Sequence, residues 1–154
     1  KGKLKPEHTH IAPESMMKLN RVGSKLAGIK EVKALTDVTG FGLLGHLTEM
    51  CQGSKVSADL EFDTIPSFDE ACEYIAQDCI PGGTYNNWNY YGSGIKLSNT
   101  DHRFILCDPQ TSGGLLIAVE EKAVEKISEV LRKDGITARV FGKLVKRKEY
   151  LIKV

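Results

Sequence analysis

Apolar positions along this chain follow two periods, one near 3.6 residues and one of two, and the switches between them mark the elements. From Pro13, which suits a first helical position, Met16, Leu19, Gly23, Leu26 and Ala27 recur at three- and four-residue steps. They predict a helix that Gly28 stops. Val32 to Val38 reads as a short strand closing on Asp37-Val38-Thr39. The turn Gly40-Phe41-Gly42 then feeds a second helix whose stripe is Leu43, Leu44, Leu47, Met50 and Cys51, with Gly53 closing it. Val56 to Phe62 alternates strictly, Val56, Ala58, Leu60 and Phe62 against Ser57, Asp59 and Glu61, and predicts a half-buried strand. Ser67 and Glu70 make the S-x-x-E pattern of a capping box and open a helix with Ala71, Tyr74 and Ile75.

Between residues 80 and 100 the pattern breaks into glycine, asparagine and aromatic residues, which reads as one long loop of the kind that is usually functional or mobile. Order returns with the short apolar run Phe104 to Cys107, the loop Asp108 to Gly114 and a buried strand, Leu115 to Val119. A helix follows with Val124, Ile127, Val130 and Leu131 on one side and Gly135 as its stop. Ile136 to Val145 and Tyr150 to Val154 predict strands around the basic turn Lys146-Arg147-Lys148. Residues 1–12 lack apolar period and read as a lead-in or linker to a single domain over 13–154. Strands that alternate with helices and then pair locally predict an α+β domain, a mixed β-sheet layered with helices.

Composition narrows the function classes. At 154 residues, 41% hydrophobic and 27% charged, the chain has the make-up of one soluble globular domain with a proper core. Its net charge is +1, from 21 basic and 20 acidic side chains, so no long-range field draws it to nucleic acid. No apolar run reaches the roughly 20 residues of a membrane span. Lys1, Lys3 and Lys5 are not followed by an apolar stretch, so no signal peptide is read and a cytoplasmic protein is expected. A first residue that is not Met suggests a processed chain, a fragment or an excised piece. Cys51, Cys72, Cys79 and Cys107 form no C-x-x-C pair and match no zinc spacing, which predicts reduced, free thiols.

Three segments offer chemistry. In Thr36-Asp37-Val38-Thr39-Gly40-Phe41-Gly42-Leu43-Leu44-Gly45-His46 a strand runs through a glycine turn into a helix, with a carboxylate at the strand end. Free N–H groups at a helix start attract anions, and glycine admits a ligand close to the backbone. The carboxylate repels phosphate but suits a Mg²⁺ bridging to phosphate oxygens. On the residues alone Asp37 reads better as a cap for the following helix, with the glycines as a tight turn. Asp108 to Gly114 reads either as a nest of N–H groups for an anion or as a turn into a crowded sheet. Pro81-Gly82-Gly83-Thr84, with Asn87, Trp88, Tyr90 and Tyr91 beyond, could stack on bases. It lacks a basic groove and reads better as a loop docking on its own domain or a partner. His46 lies beside an apolar stripe and reads as structural.

The same three segments resemble one family. ALTDVTGFGLLGHLTE (Ala34 to Glu49) is similar to the signature of selenophosphate synthetases, the selenide, water dikinases. PGGT with Asn87 and Tyr91-Gly92 is similar to that family's middle loop, and CDPQTSGGLL (Cys107 to Leu116) to its third signature. Order and separation agree over roughly residues 14 to 145. The resemblance implies a carboxy-terminal domain of the aminoimidazole ribonucleotide synthetase superfamily. It implies an activity making selenophosphate, AMP and phosphate from selenide, ATP and water with Mg²⁺, in a longer, homodimeric protein. It implies Asp37 as a metal ligand, with Thr36, Thr39, Gly40 and Gly42 as the phosphate-proximal, cofactor-binding loop. The catalytic cysteine or selenocysteine and most nucleotide ligands belong to the amino-terminal half, so no catalytic residue is carried onto this chain and the chain alone is expected to be inactive. Rival readings are a purine-pathway or thiamine-pathway enzyme or a hydrogenase-maturation protein of the same superfamily, or a non-catalytic interaction domain.

Overall fold

The computed structural model describes residues 2–154; Lys1, part of the expected lead-in, lies outside the described residues. In chain order the helices and strands are α1 (Ile11–Met16), α2 (Val22–Ala27), β1 (Val32–Asp37), α3 (Gly42–Ser54), β2 (Val56–Leu60), α4 (Ala71–Ala76), α5 (Gly82–Tyr91), β3 (Ile95–Lys96), α6 (Arg103–Leu106), β4 (Leu115–Val119), α7 (Val124–Lys133), β5 (Gly142–Lys146) and β6 (Ile152–Lys153). The architecture is mixed α+β, as the alternation of periods predicts. β1 and β4 form an antiparallel two-stranded sheet, with Asp37 opposite Leu115. The second sheet has the order β3-β6-β2-β5, in which β2 runs antiparallel to β5 while β6 is parallel to both β2 and β3.

Two cores follow from this layering. The larger lies where α3 covers the four-stranded sheet and buries Leu44, Leu47 and Cys51 with Ala58, Leu106, Leu116 and Ile152. Each fully buried leucine or isoleucine there is worth about 1.5–3 kcal/mol relative to an exposed one. The smaller joins Val22 and Leu26 of α2 to Ile127 and Leu131 of α7, with Leu35, Leu115 and Ile117 of the two-stranded sheet against them. The stripe of α7 is thus the predicted one, and Gly135, at φ +73, ends that helix as expected.

Several elements depart from the sequence pattern. The helix expected from Pro13 to Ala27 is two short helices, because Met16, Met17 and Leu19 stay exposed and supply no buried face to carry it through. Helix begins at Ile11, within the expected lead-in, and that segment docks on α4: Tyr74 Oη accepts from the Lys5 amide (3.1 Å) and lies 2.8 Å from His8 Nδ1. Helix α3 runs past Gly53 and ends on Lys55 in the left-handed region, φ 56. The capping box is absent, since Glu70 stands at the N-cap of α4 without a side-chain cap. The run Phe104 to Cys107 is mostly helical. The last two predicted strands shorten to Gly142–Lys146, which takes in the first residue of the expected turn, and Ile152–Lys153. Ser57, expected on the solvent face, is fully buried: its hydroxyl donates to Tyr150 O (2.7 Å) and accepts from the Lys148 amide (3.0 Å).

The largest correction concerns residues 80–100. Residues 81–94, expected as loop, contain the ten-residue helix α5 with Pro81 at its N-cap. Its inward positions are Thr84, Asn87, Trp88 and Tyr91, spaced three and four apart. The helical period is present, carried by polar and aromatic residues that an aliphatic stripe search passes over.

Candidate functional site

Asp37 ends β1 on the surface. Its carboxylate makes no hydrogen bond or ion pair among the described residues, and α3, whose N-cap is Phe41, has no side-chain cap. Helix capping is therefore not what occupies Asp37. The amides of Gly40 and Phe41 are also without hydrogen-bond partners among the described residues. A free carboxylate thus stands three and four residues ahead of two free N–H groups on one exposed loop. That arrangement matches a cation held against an anion.

The other loop residues serve to fix this conformation. Thr39 donates its amide to His46 Nε2 (3.0 Å), and its hydroxyl lies 3.1 Å from the same nitrogen. An Nε2 that accepts an N–H places the ring hydrogen on Nδ1, which faces Glu49 at 3.7 Å. His46 is therefore a buried structural group. Thr36 donates its hydroxyl to Asp37 O (3.2 Å). Gly42 adopts φ +68, and a Cβ there would lie 2.7 Å from Cys107 C. Its glycine thus serves the close approach of two backbones.

The three sequence motifs converge here. Asn87 on α5 donates its amide nitrogen to Gly40 O and Cys107 O, both at 2.9 Å. Thr39 O and Val38 O accept from the amides of Gln110 (3.0 Å) and Gly113 (2.9 Å), and Val38 N–H donates to Gly114 O (2.9 Å). Thr84 Oγ1 donates to Asp108 Oδ1 (3.2 Å), while Gln110 Nε2 donates to Asp108 Oδ2 (2.7 Å). Burial pushes the Asp108 carboxyl above its ordinary range against those two hydrogen bonds. Loop 108–114 is thus mainly a clasp on the Asp37 loop; the amides of Thr111 and Ser112 remain without partners among the described residues.

Sequence reasoning missed Asn87, Thr84 and Asp108 as parts of one unit. The available signal was their position within the three motifs, since neither period nor charge distinguishes them. Cys51 and Cys107 are buried free thiols, as expected, and burial pushes Cys107 up to about 12, which leaves it unreactive. Cys72 and Cys79 are free as well. Among the described residues no group of three or more His, Cys, Asp or Glu side chains is placed to hold a metal ion. Asp37 fits Mg²⁺ as one carboxylate of a shell completed by other groups, and not as a site in itself.

The fold and this junction of loops define a class. The chain matches the family described as AIR synthase related protein, C-terminal domain, over residues 2–154, and belongs to it. Within that class it is similar to the selenide, water dikinases of Aeromonas hydrophila, 48% identical over 147 residues, and Haemophilus influenzae, 48% identical over 149. These matches cover 96% and 97% of this chain, which spans 43% of the length of each relative. The fold is shared with Escherichia coli HypE, a hydrogenase maturation protein, at TM-score 0.53 and 22% identity over 83% of this chain and 34% of that one.

Proposed function

We propose that this chain is the carboxy-terminal domain of a selenide, water dikinase, and that its Asp37 loop closes on the phosphates of ATP held by the remainder of a longer protein. The observation that carries the reading is the free Asp37 carboxylate beside the free Gly40 and Phe41 amides, on a loop anchored by the two other family motifs. In this reading Asp37 supplies one oxygen ligand to Mg²⁺, and Thr36, Thr39, Gly40 and Gly42 belong to the loop nearest phosphate. The magnesium ion would neutralise phosphate charge as it shifts during transfer. The similarity to proteins of that name, with the order of the three motifs, favours this activity over the purine, thiamine and hydrogenase-maturation alternatives. A homodimeric, cytoplasmic longer protein accompanies the reading. No helix among the described residues is long and apolar enough to cross a membrane.

One carboxylate does not make an active site, so the 154-residue chain alone should release AMP from ATP no faster than buffer, with or without selenide. Chromatographic assay of AMP against chain concentration checks this. Turnover proportional to the chain would overturn the division of labour.

A further inference from the structure

At β3 the four-stranded sheet has an open edge, remote in sequence from the Asp37 loop. Lys96 O accepts from the Val154 amide (2.9 Å) and Ser98 N–H donates to Val154 O (2.8 Å), so both face β6. The intervening Leu97 makes no backbone hydrogen bond among the described residues, and strand alternation turns its N–H and C=O outward. Beside this edge is a hollow of about 490 Å³ walled by Trp88, Ile95, Leu97 and Val154 and flanked by Lys96 and Lys153.

The charges there are unbalanced. Lys96 and Lys153 stand opposite each other in the parallel register, both exposed, and neither forms an ion pair among the described residues. Like charges directly opposite are unfavourable. Asp59 neighbours Lys153 on the next strand, but its oxygens are taken up by Lys148 Nζ (2.8 Å) and Tyr150 Oη (2.7 Å). Lys143 lies on its far side. The row Lys96–Lys153–Asp59–Lys143 therefore crosses the sheet with an excess of positive charge. Lysine on an edge strand deters unwanted pairing. Lys153 is one strand in from the edge, however, where deterrence does not require it.

We propose that the β3 edge docks an extended acidic segment of a partner protein. The segment adds a strand along Leu97, and its alternate side chains point to opposite faces. One set fills the hollow by Trp88 with apolar groups; the other sets carboxylates over Lys96 and Lys153. Charge complementarity and the free backbone groups of Leu97 are what select this occupant.

Titration of the ¹⁵N-labelled chain with a peptide of about eight residues alternating glutamate and valine tests the proposal. The expected result is saturable shift changes centred on residues 95–98 and Lys153. Lys153→Glu should weaken binding about tenfold or more, while its melting temperature changes little, because the new carboxylate gains Lys96 on one side and faces Asp59 on the other. The proposal is overturned by equal binding of a lysine–valine peptide, by shifts centred elsewhere, or by no saturation at about 1 mM, a Kd weaker than about −4 kcal/mol of binding. It is also overturned if a uridine oligonucleotide binds these residues more tightly than the peptide, or if the shifts follow chain concentration without peptide, as a second copy would cause.

Discussion

Asn87 is the residue on which the three motif loops depend. Both its partners are carbonyl oxygens, so the amide nitrogen must face them, and replacement by alanine leaves Gly40 O and Cys107 O without that donor. Asn87→Ala should therefore cost about 2 kcal/mol or more in a urea titration, with the slope unchanged. A loss below about 0.5 kcal/mol, the level of an ordinary surface change, would remove its role as a tie. Asp108 adds a pH signature. Desolvation raises its folded pKa above the unfolded value near 3.8, so the stability linked to its protonated form is full below that value and is lost as pH rises through the folded pKa. Asp108→Asn does not titrate. The melting temperature of the variant relative to the parent should increase from pH 3 to pH 7, and a constant or falling difference would contradict the assigned direction. Half-buried Glu120, which Lys122 and Lys33 hold down to about 2, acts with the opposite sign, so the difference between two proteins is more informative than either curve alone.

At the scale of elements, Lys55 offers a direct test of how α3 ends. An L-residue in the left-handed region costs about 1–2 kcal/mol, part of which glycine returns as greater entropy of the unfolded chain. Lys55→Gly should stabilise the fold by about 0.5–1 kcal/mol, read as an upward shift in the thermal midpoint. No gain would mean that Lys55 makes compensating contacts. The same helix shows what a sequence reveals. Leu44, Leu47 and Cys51 are legible because burial there is purely apolar and periodic. α5 escapes an aliphatic search, because the positions that carry its period include Thr84 and Asn87, whose burial rests on hydrogen bonds to segments 24 and 47 residues away. Ser57 illustrates the same point on β2, where a polar residue at a predicted solvent position is buried under residues 148–150. The S-x-x-E pattern at Ser67 misleads for the converse reason: its local chemistry is right, but helix starts only at Ala71.

For the whole molecule, the layered α+β fold was legible in the alternation of periods, and the Asp37 and Asp108 motifs were legible as loops, whereas the Asn87 motif, expected as a loop, is helix α5. Their junction was not, since it depends on the pairing of β1 with β4 and the docking of α5 on both loops. The central claim is that this junction presents Asp37 to a metal–phosphate site shared with the rest of a selenide, water dikinase. It is tested most directly by a domain exchange, in which residues 2–154 replace the matching segment of the Aeromonas hydrophila relative and selenophosphate is followed by ³¹P NMR. The exchanged protein should form selenophosphate. Its Asp37→Asn form should lose about 100-fold or more in rate, with partial recovery at raised Mg²⁺ and an unchanged melting temperature, because Asp37 holds no other group in the fold. Near-parental selenophosphate formation by the Asp37→Asn protein at limiting Mg²⁺ would contradict the account.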